Sequence, residues 1–417
     1  MTTFAPVANN ARIEPVDVRR SRIFGHAAFI TCMILQRFGH VFGTSAIFLS
    51  TPVFGILLGW AFLSGIGTLR SRGIALYMMF AGWVLVVTLV AQLYPDARFG
   101  FSFGSLAALL VTYGFTAIGP SERFDKAVIY ELFLFYTRVC AVAGIVQWFA
   151  QFAGVRIFSF MVAVPPMKAV LVESQFNFNP LLHYGSSILR SNGFFLLEPS
   201  VLSQVLAIAI VLDYFVLNRT KFLPLYAFSY LLSFSGTGAL SLVLAVPFYA
   251  AQSMRNFTRV ALLAAVGLVA LVAGSIAFPE QVGSLLSRMQ ELNYSGSSGY
   301  ARFIGPFLPL ADLSHELRIL FGYGPGATER YIYFVQGTGN SIAKLVIDYG
   351  VVGLFTFLVM FLSTLWRRET AIISVLALTT FVVGGGYLLF APMLVMLFLL
   401  CIWSGLPDDR KAGLRAA

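Results

Sequence analysis

Two long segments of this otherwise apolar chain, near 153–194 and 278–340, carry the residues whose types could do chemistry. The first holds Arg156, Lys168 and Arg190. The second holds Arg288, Arg302, Arg318 and Arg330. Arginine stays charged at any physiological pH and forks two N–H groups onto phosphate or carboxylate oxygens. Several of them converging would hold a pyrophosphate. Any one alone would ordinarily pair with a neighbouring acid, and Glu280, Glu291, Asp312, Glu316 and Glu329 are available. Composition alone does not separate a pyrophosphate enzyme from a transporter that binds anions. A transfer reaction would also need a base. Glu198, just before Pro199 at a helix start, is expected first to satisfy first-turn amides. Its second expected role is as a base beside Arg190. Glu329 and His315 are alternative bases, and His183 is a weaker one.

These residues lie in an ordered set of short motifs. Arg190-Ser-Asn-Gly193-Phe-Phe-Leu-Leu-Glu198-Pro199 opens a helix after the first long segment. Ser233-Phe-Ser-Gly-Thr-Gly-Ala239 interrupts an apolar run. Ser298-Gly-Tyr-Ala-Arg302 and Phe321-Gly-Tyr-Gly-Pro-Gly326 follow in the second segment. Asn340 then precedes Gly350 and Gly353. In this order they resemble the bacterial O-antigen ligase and Wzy-type polysaccharide polymerase superfamily, by motif over roughly 188–360. Arg288 and Gly299 add a spacing similar to one in the periplasmic loops of Wzy polymerases. The first segment lacks the counterpart, since Met167 and Val201 stand where it would need glycine. Ligases typically begin the last motif with His-Asn, whereas this chain has Gly339-Asn340, which favours polymerase over ligase.

The resemblance implies a metal-independent, inverting glycosyltransferase of the membrane-embedded GT-C type, without a cofactor. Its substrate would be an undecaprenyl-pyrophosphate-linked oligosaccharide, its partners a chain-length regulator and a flippase, with no nucleic acid. Arg190 and Arg302 would hold the pyrophosphate, with Arg288 third. Asn340, Gly324 and Gly326 are further motif positions. The Gly-rich run 322–326 is expected to be a tight turn before it is a phosphate nest.

The elements that must position these groups are apolar helices. Hydrophobic residues make up 58% of the 417 and charged residues 11%, against about a quarter charged in soluble domains. Continuous apolar runs argue against a β-barrel. Twelve helices are expected near 23–43, 45–66, 74–93, 102–118, 128–152, 195–217, 222–235, 237–253, 260–277, 341–364, 370–386 and 387–404. The result is an all-α, polytopic membrane bundle, a single domain over 23–404 between tails at 1–22 and 405–417. Basic residues test the orientation. Arg12, Arg19, Arg20 and Arg22 precede the first run. Arg70 and Arg72, Arg123 and Lys126, Arg219 and Lys221, Arg255 and Arg259, and Arg367 and Arg368 then occupy alternate connections, with Arg410, Lys411 and Arg415 at the end. This positive-inside pattern predicts cytoplasmic termini, a bacterial inner membrane and two long periplasmic loops. The polar start is read as a tail, not a cleaved signal.

Within the helices, Arg37, Glu131, Arg138 and Asp213 are costly in lipid and are expected to face the interior or an end, Asp213 as a solvated group. Lys344 and Asp348, four apart, are expected to pair. Cys32, Cys140 and Cys401 fall in apolar helices and predict no disulfide. Three other functions compete with a polymerase: a ligase, a transporter or flippase of lipid-linked sugars, and a membrane scaffold. A transporter should show repeated halves and midplane sites. Here the informative residues lie in outer loops of the second half, and a scaffold would leave the motif order unexplained.

Overall fold

A computed structural model describes residues 14–36, 38–42, 45–156, 159–160, 171, 181–182, 186–277, 295, 297–331 and 339–406. Arg37, Lys168, His183 and Arg288 lie outside the described residues. The fold is mostly helical, and a helix overlaps each of the twelve expected segments. In order these are α1 (Pro15–Ile34), α2 (Ser50–Leu63), α3 (Ser71–Leu93), α4 (Phe103–Tyr113) and α5 (Ala127–Ala150). Then come α6 (Pro199–Ile210), α7 (Leu223–Ser233), α8 (Gly236–Ala250) and α9 (Met254–Ala277). Two short helices, α10 (Ser298–Phe303) and α11 (Leu308–Leu313), precede α12 (Ser341–Leu365), α13 (Ala371–Val383) and α14 (Ala391–Phe398).

Among the described residues, four helical stretches are long and apolar enough to cross a membrane: Ser71–Leu93, Ala127–Ala153, Pro199–Val216 and Ser341–Leu365. Others, such as Leu223–Ser233 and Ala371–Val383, are apolar but shorter. Leu85, Leu89 and Leu93 on α3 and Leu262, Val269 and Ile276 on α9 are exposed. Such surface is unfavourable in water and ordinary against lipid. By contrast α14 and its π-helical extension Leu399–Trp403 are buried on every face, as befits an all-round apolar helix at the centre of a bundle.

The structure departs from the sequence expectations in four places. The first helix does not run to residue 43. It ends at Ile34, and an antiparallel ribbon follows, β1 (Gly39–Phe42) against β2 (Ser45–Phe48). Gly39 and the β-branched Val41 and Ile47 weaken helix and favour strand. A second ribbon pairs β3 (Gly67–Leu69) with β4 (Ile118–Pro120), so the fold is not purely α. At the other end, α1 begins at Pro15, which suits a first helical turn, so the helix starts before residue 23. Finally, Asp213 is not solvated. A π-turn over Val211–Val216 shifts the helix register and leaves it 2% exposed, accepting a bond from the Tyr226 hydroxyl at 3.0 Å. Arg138 turns back along its own helix and onto a neighbouring ring. Its Nε donates to the Leu134 carbonyl, and its guanidinium covers the Phe222 ring at 4.3 Å.

Contacts between connections fall into two groups. In one, Arg20 donates to the Ser64 carbonyl, Asp125 N–H to Ser21, Arg367 to the Ile402 carbonyl, and Gly405 N–H to the Lys126 carbonyl. In the other, Ser102 N–H donates to the Pro325 carbonyl, Ser191 N–H to the Leu232 carbonyl and Ser341 to the Gly385 carbonyl. The first group includes Arg20, Lys126 and Arg367, three of the basic residues that mark alternate connections. The second holds the motif segments.

Candidate active site

The motif segments meet at a break between α7 and α8. Phe234 adopts a left-handed conformation (φ 43°) and Ser235 is extended, so two helices form where one apolar run was interrupted. Gly238 explains the close approach that follows. A Cβ there would stand 2.3 Å from the Ser203 carbonyl oxygen of α6, and its N–H donates to the Ser203 hydroxyl at 3.1 Å. The break thus brings Thr237 beside the start of α6, where Glu198 and Ser200 lie.

Arg302 closes the cluster from α10. Its Nη1 donates to the Thr237 hydroxyl at 3.0 Å. Its Nη2 donates to Glu198 Oε1 at 3.1 Å and to the Ser200 hydroxyl at 3.3 Å. Ser200 in turn donates to the same Glu198 oxygen at 2.5 Å. Arg302 is 7% exposed, whereas the Glu198 side chain is 30% exposed, so the carboxylate is the member that opens outward. Arg302 Nε is buried without a hydrogen-bond partner among the described residues.

Asn340 holds this helix from behind. Its Oδ1 accepts from Ile342 N–H at 2.9 Å, capping α12, while its Nδ2 donates to the Arg302 carbonyl at 3.3 Å and the Val382 carbonyl at 3.5 Å. Below, the Tyr387 hydroxyl donates to Gln204 and lies within electrostatic reach of Glu198 and Arg302. Glu198 does not take the capping role expected of it. It stands at the N-cap position in an extended conformation, but its side chain makes no capping bond; only its carbonyl accepts, from Val201 and Leu202. The nearby guanidinium outcompetes neutral amides for a carboxylate.

Arg190 belongs to the other side of the same break. Ser191 N–H donates to the Leu232 carbonyl, and Trp148 stacks on Phe234 at 5.2 Å. Gln151 clasps the backbone of Leu189 at both N–H and carbonyl, and Gln147 accepts from Ser191 and Asn192. Arg190 lines a crevice with Gln147, Trp148, Gln151 and Arg156, and Arg302 is not among its lining residues. The two motif arginines therefore flank one helix break without sharing this crevice.

The alternative bases are elsewhere. Glu329 lies 2.6 Å from Lys344 Nζ, which also contacts Asp348 Oδ2 at 2.7 Å, the pairing anticipated from their spacing. Partial desolvation works against the charged form, but attraction to Lys344 wins and holds the half-exposed Glu329 carboxyl below its usual range, which makes it a poor proton acceptor. His315 is exposed on the turn after α11. Gly324 and Gly326 take positive φ in a tight turn whose amides are already used: Gly324 N–H donates to the Asp348 carbonyl and Gly326 N–H to its carboxylate. The turn is a joint rather than a phosphate nest.

That joint has a second half. A Cβ on Gly322 would lie 2.6 Å from Asp348 O and Gly350 N, and one on Gly350 2.3 Å from the Leu320 carbonyl. Gly350 (φ 76°) kinks α12 where the turn docks. Arg98 secures the same loop through a fork onto Glu316, 2.6 and 2.9 Å, and also binds Asp96. Hydrogen bonds from Arg98, then from Tyr323, hold Glu316 down to about 2, so this fork stays charged in mildly acid medium. Sequence reasoning missed Arg98, Ser200 and Tyr387. Ser200, two residues beyond a motif acid, was the one with a local signal.

Compared with known proteins, the chain matches no protein-family model, no curated protein and no solved structure.

Proposed function

We propose that this chain is a polysaccharide polymerase of the bacterial inner membrane. It would transfer a glycan from undecaprenyl pyrophosphate onto a lipid-linked repeat unit at the periplasmic face. The observation that carries the reading is Arg302: one buried guanidinium ties together three separate motifs, through Glu198, Ser200 and Thr237, at a helix break. Arginine next to an outward-opening carboxylate suits a reaction in which pyrophosphate leaves while a sugar hydroxyl loses a proton. Gly339 in place of the ligase histidine favours polymerase over ligase.

In this reading the twelve main helices alternate across the bilayer, with both termini cytoplasmic. The two groups of loop contacts support that alternation, because Arg20, Lys126 and Arg367 fall in one group and motif segments in the other. Labelling checks the orientation directly. The three cysteines are buried, so a cysteine at exposed Ser314 supplies the accessible thiol. Ser314→Cys is expected to react with an impermeant thiol reagent in intact spheroplasts. Reaction only after lysis would reverse the topology.

The lipid-linked products of a deletion strain test the activity. A polymerase deletion accumulates single repeat units on the lipid. Long lipid-linked polymer would indicate a ligase instead, and an unchanged lipid pool would argue against both.

A further inference from the structure

Arg302 presents a problem for any phosphate that approaches it: the guanidinium is already neutralised. Glu198 and Ser200 occupy Nη2 and Thr237 occupies Nη1, while the residue is 7% exposed. An oxyanion gains the full benefit of this arginine only if the internal carboxylate leaves. The two partners are unequal in mobility of access. Glu198 is the more exposed of the pair, and its side chain has no capping duty to hold it in place. Ser200 and Thr237 are neutral and can keep the guanidinium oriented when Glu198 departs.

We propose that Glu198 is a resting counter-ion that the donor pyrophosphate displaces from Arg302, so that donor binding itself liberates the base. The inference rests on the polymerase reading and adds an order of events to it. Before the donor arrives, Arg302 and the Ser200 hydroxyl both hold the carboxylate, so it is not free to turn to an acceptor. Phosphate oxygens then take over the guanidinium, with the free Nε–H as an additional donor. Glu198, released from its cation, turns to the acceptor sugar. The acceptor oxygen forms a bond to the anomeric carbon of the donor. The bond from that carbon to the pyrophosphate oxygen breaks, and its electron pair leaves with the pyrophosphate beside Arg302. The hydroxyl proton passes to Glu198.

The exchange predicts opposite effects on binding and turnover from one substitution. Glu198→Gln keeps the shape and a hydrogen-bonding oxygen but removes the charge that competes with phosphate. Inorganic pyrophosphate titrated calorimetrically into the purified protein in nanodiscs should bind Glu198→Gln about tenfold more tightly than the wild type. Arg302→Lys should bind it more weakly than the wild type. In the polymer assay Glu198→Gln should show a lower KM for the lipid-linked donor together with a collapsed kcat. Equal or weaker pyrophosphate binding by Glu198→Gln would overturn the exchange. Should that variant not fold, Glu198→Asp keeps the charge but shortens the reach, and is expected to tighten pyrophosphate binding by a smaller factor; unchanged affinity there overturns the proposal equally. Because the titration needs no acceptor and no product, it can fail while the deletion strain still identifies a polymerase, and the reverse.

Discussion

Arg302→Ala is expected to lower polymer formation by about 10²–10³-fold, with the protein still inserted and folded. The figure corresponds to about 2.7–4 kcal/mol of barrier, by analogy with removal of one oxyanion donor in a water-excluded site. The side chain contributes more than charge: it spans Glu198, Ser200 and Thr237 with a planar fork. Arg302→Lys should therefore recover only part of the activity, since an ammonium keeps the charge but loses the geometry. Radiolabelled polymer from membranes, normalised to protein by immunoblot, reads the effect. Normal polymer from Arg302→Ala would remove the site from consideration.

The largest effect on stability is expected at Lys344. Its ammonium is almost fully buried between Glu329 and Asp348, and Asp348 also accepts bonds from Thr328 N–H, the Thr328 hydroxyl and Gly326 N–H. Lys344→Met leaves the Asp348 carboxylate buried and uncompensated. Breaking such a pair costs about 3–5 kcal/mol. With roughly 2.1 cal/mol/K of unfolding entropy per residue, the apparent unfolding temperature should fall by about 3–6 °C. Adding Asp348→Asn, which keeps the amide contacts but removes the stranded charge, should restore part of the loss. A single variant that melts with the wild type, followed by tryptophan fluorescence in detergent, would show that the pair carries no net stability.

The helices were legible because apolar runs of membrane length announce themselves, and the break at 233–238 because two glycines flank a threonine there. The Lys344–Asp348 pair was legible from four-residue spacing. What the spacing could not reveal was that Glu329, from a loop, would join it. Local pattern also misled at 39–48, where an apolar run reads as membrane helix yet pairs as a ribbon. At the site, Glu198 and Arg302 were both visible as candidates, but their bond spans 104 positions and depends on how α6, α8 and α10 pack. The assignment of Arg190 and Arg302 to one pyrophosphate drew on motif order, which carries no distance. Arg190 lines a crevice with Arg156, and Gln151 and Gln147 fix the residues on either side of it.

The segment that precedes α12 is fastened to that helix in two different ways. Lys344 with its carboxylates is an ionic fastening whose one exposed arm, Glu329, meets salt and competing ions. The fit of Gly322 against Gly350 is a fastening by omission: the chains touch because neither residue has a side chain. No solute loosens a missing atom. Changes of medium can thus slacken one attachment while the other keeps the loop in register, and a loop so hung would swing about the glycine contact instead of lifting away as a whole.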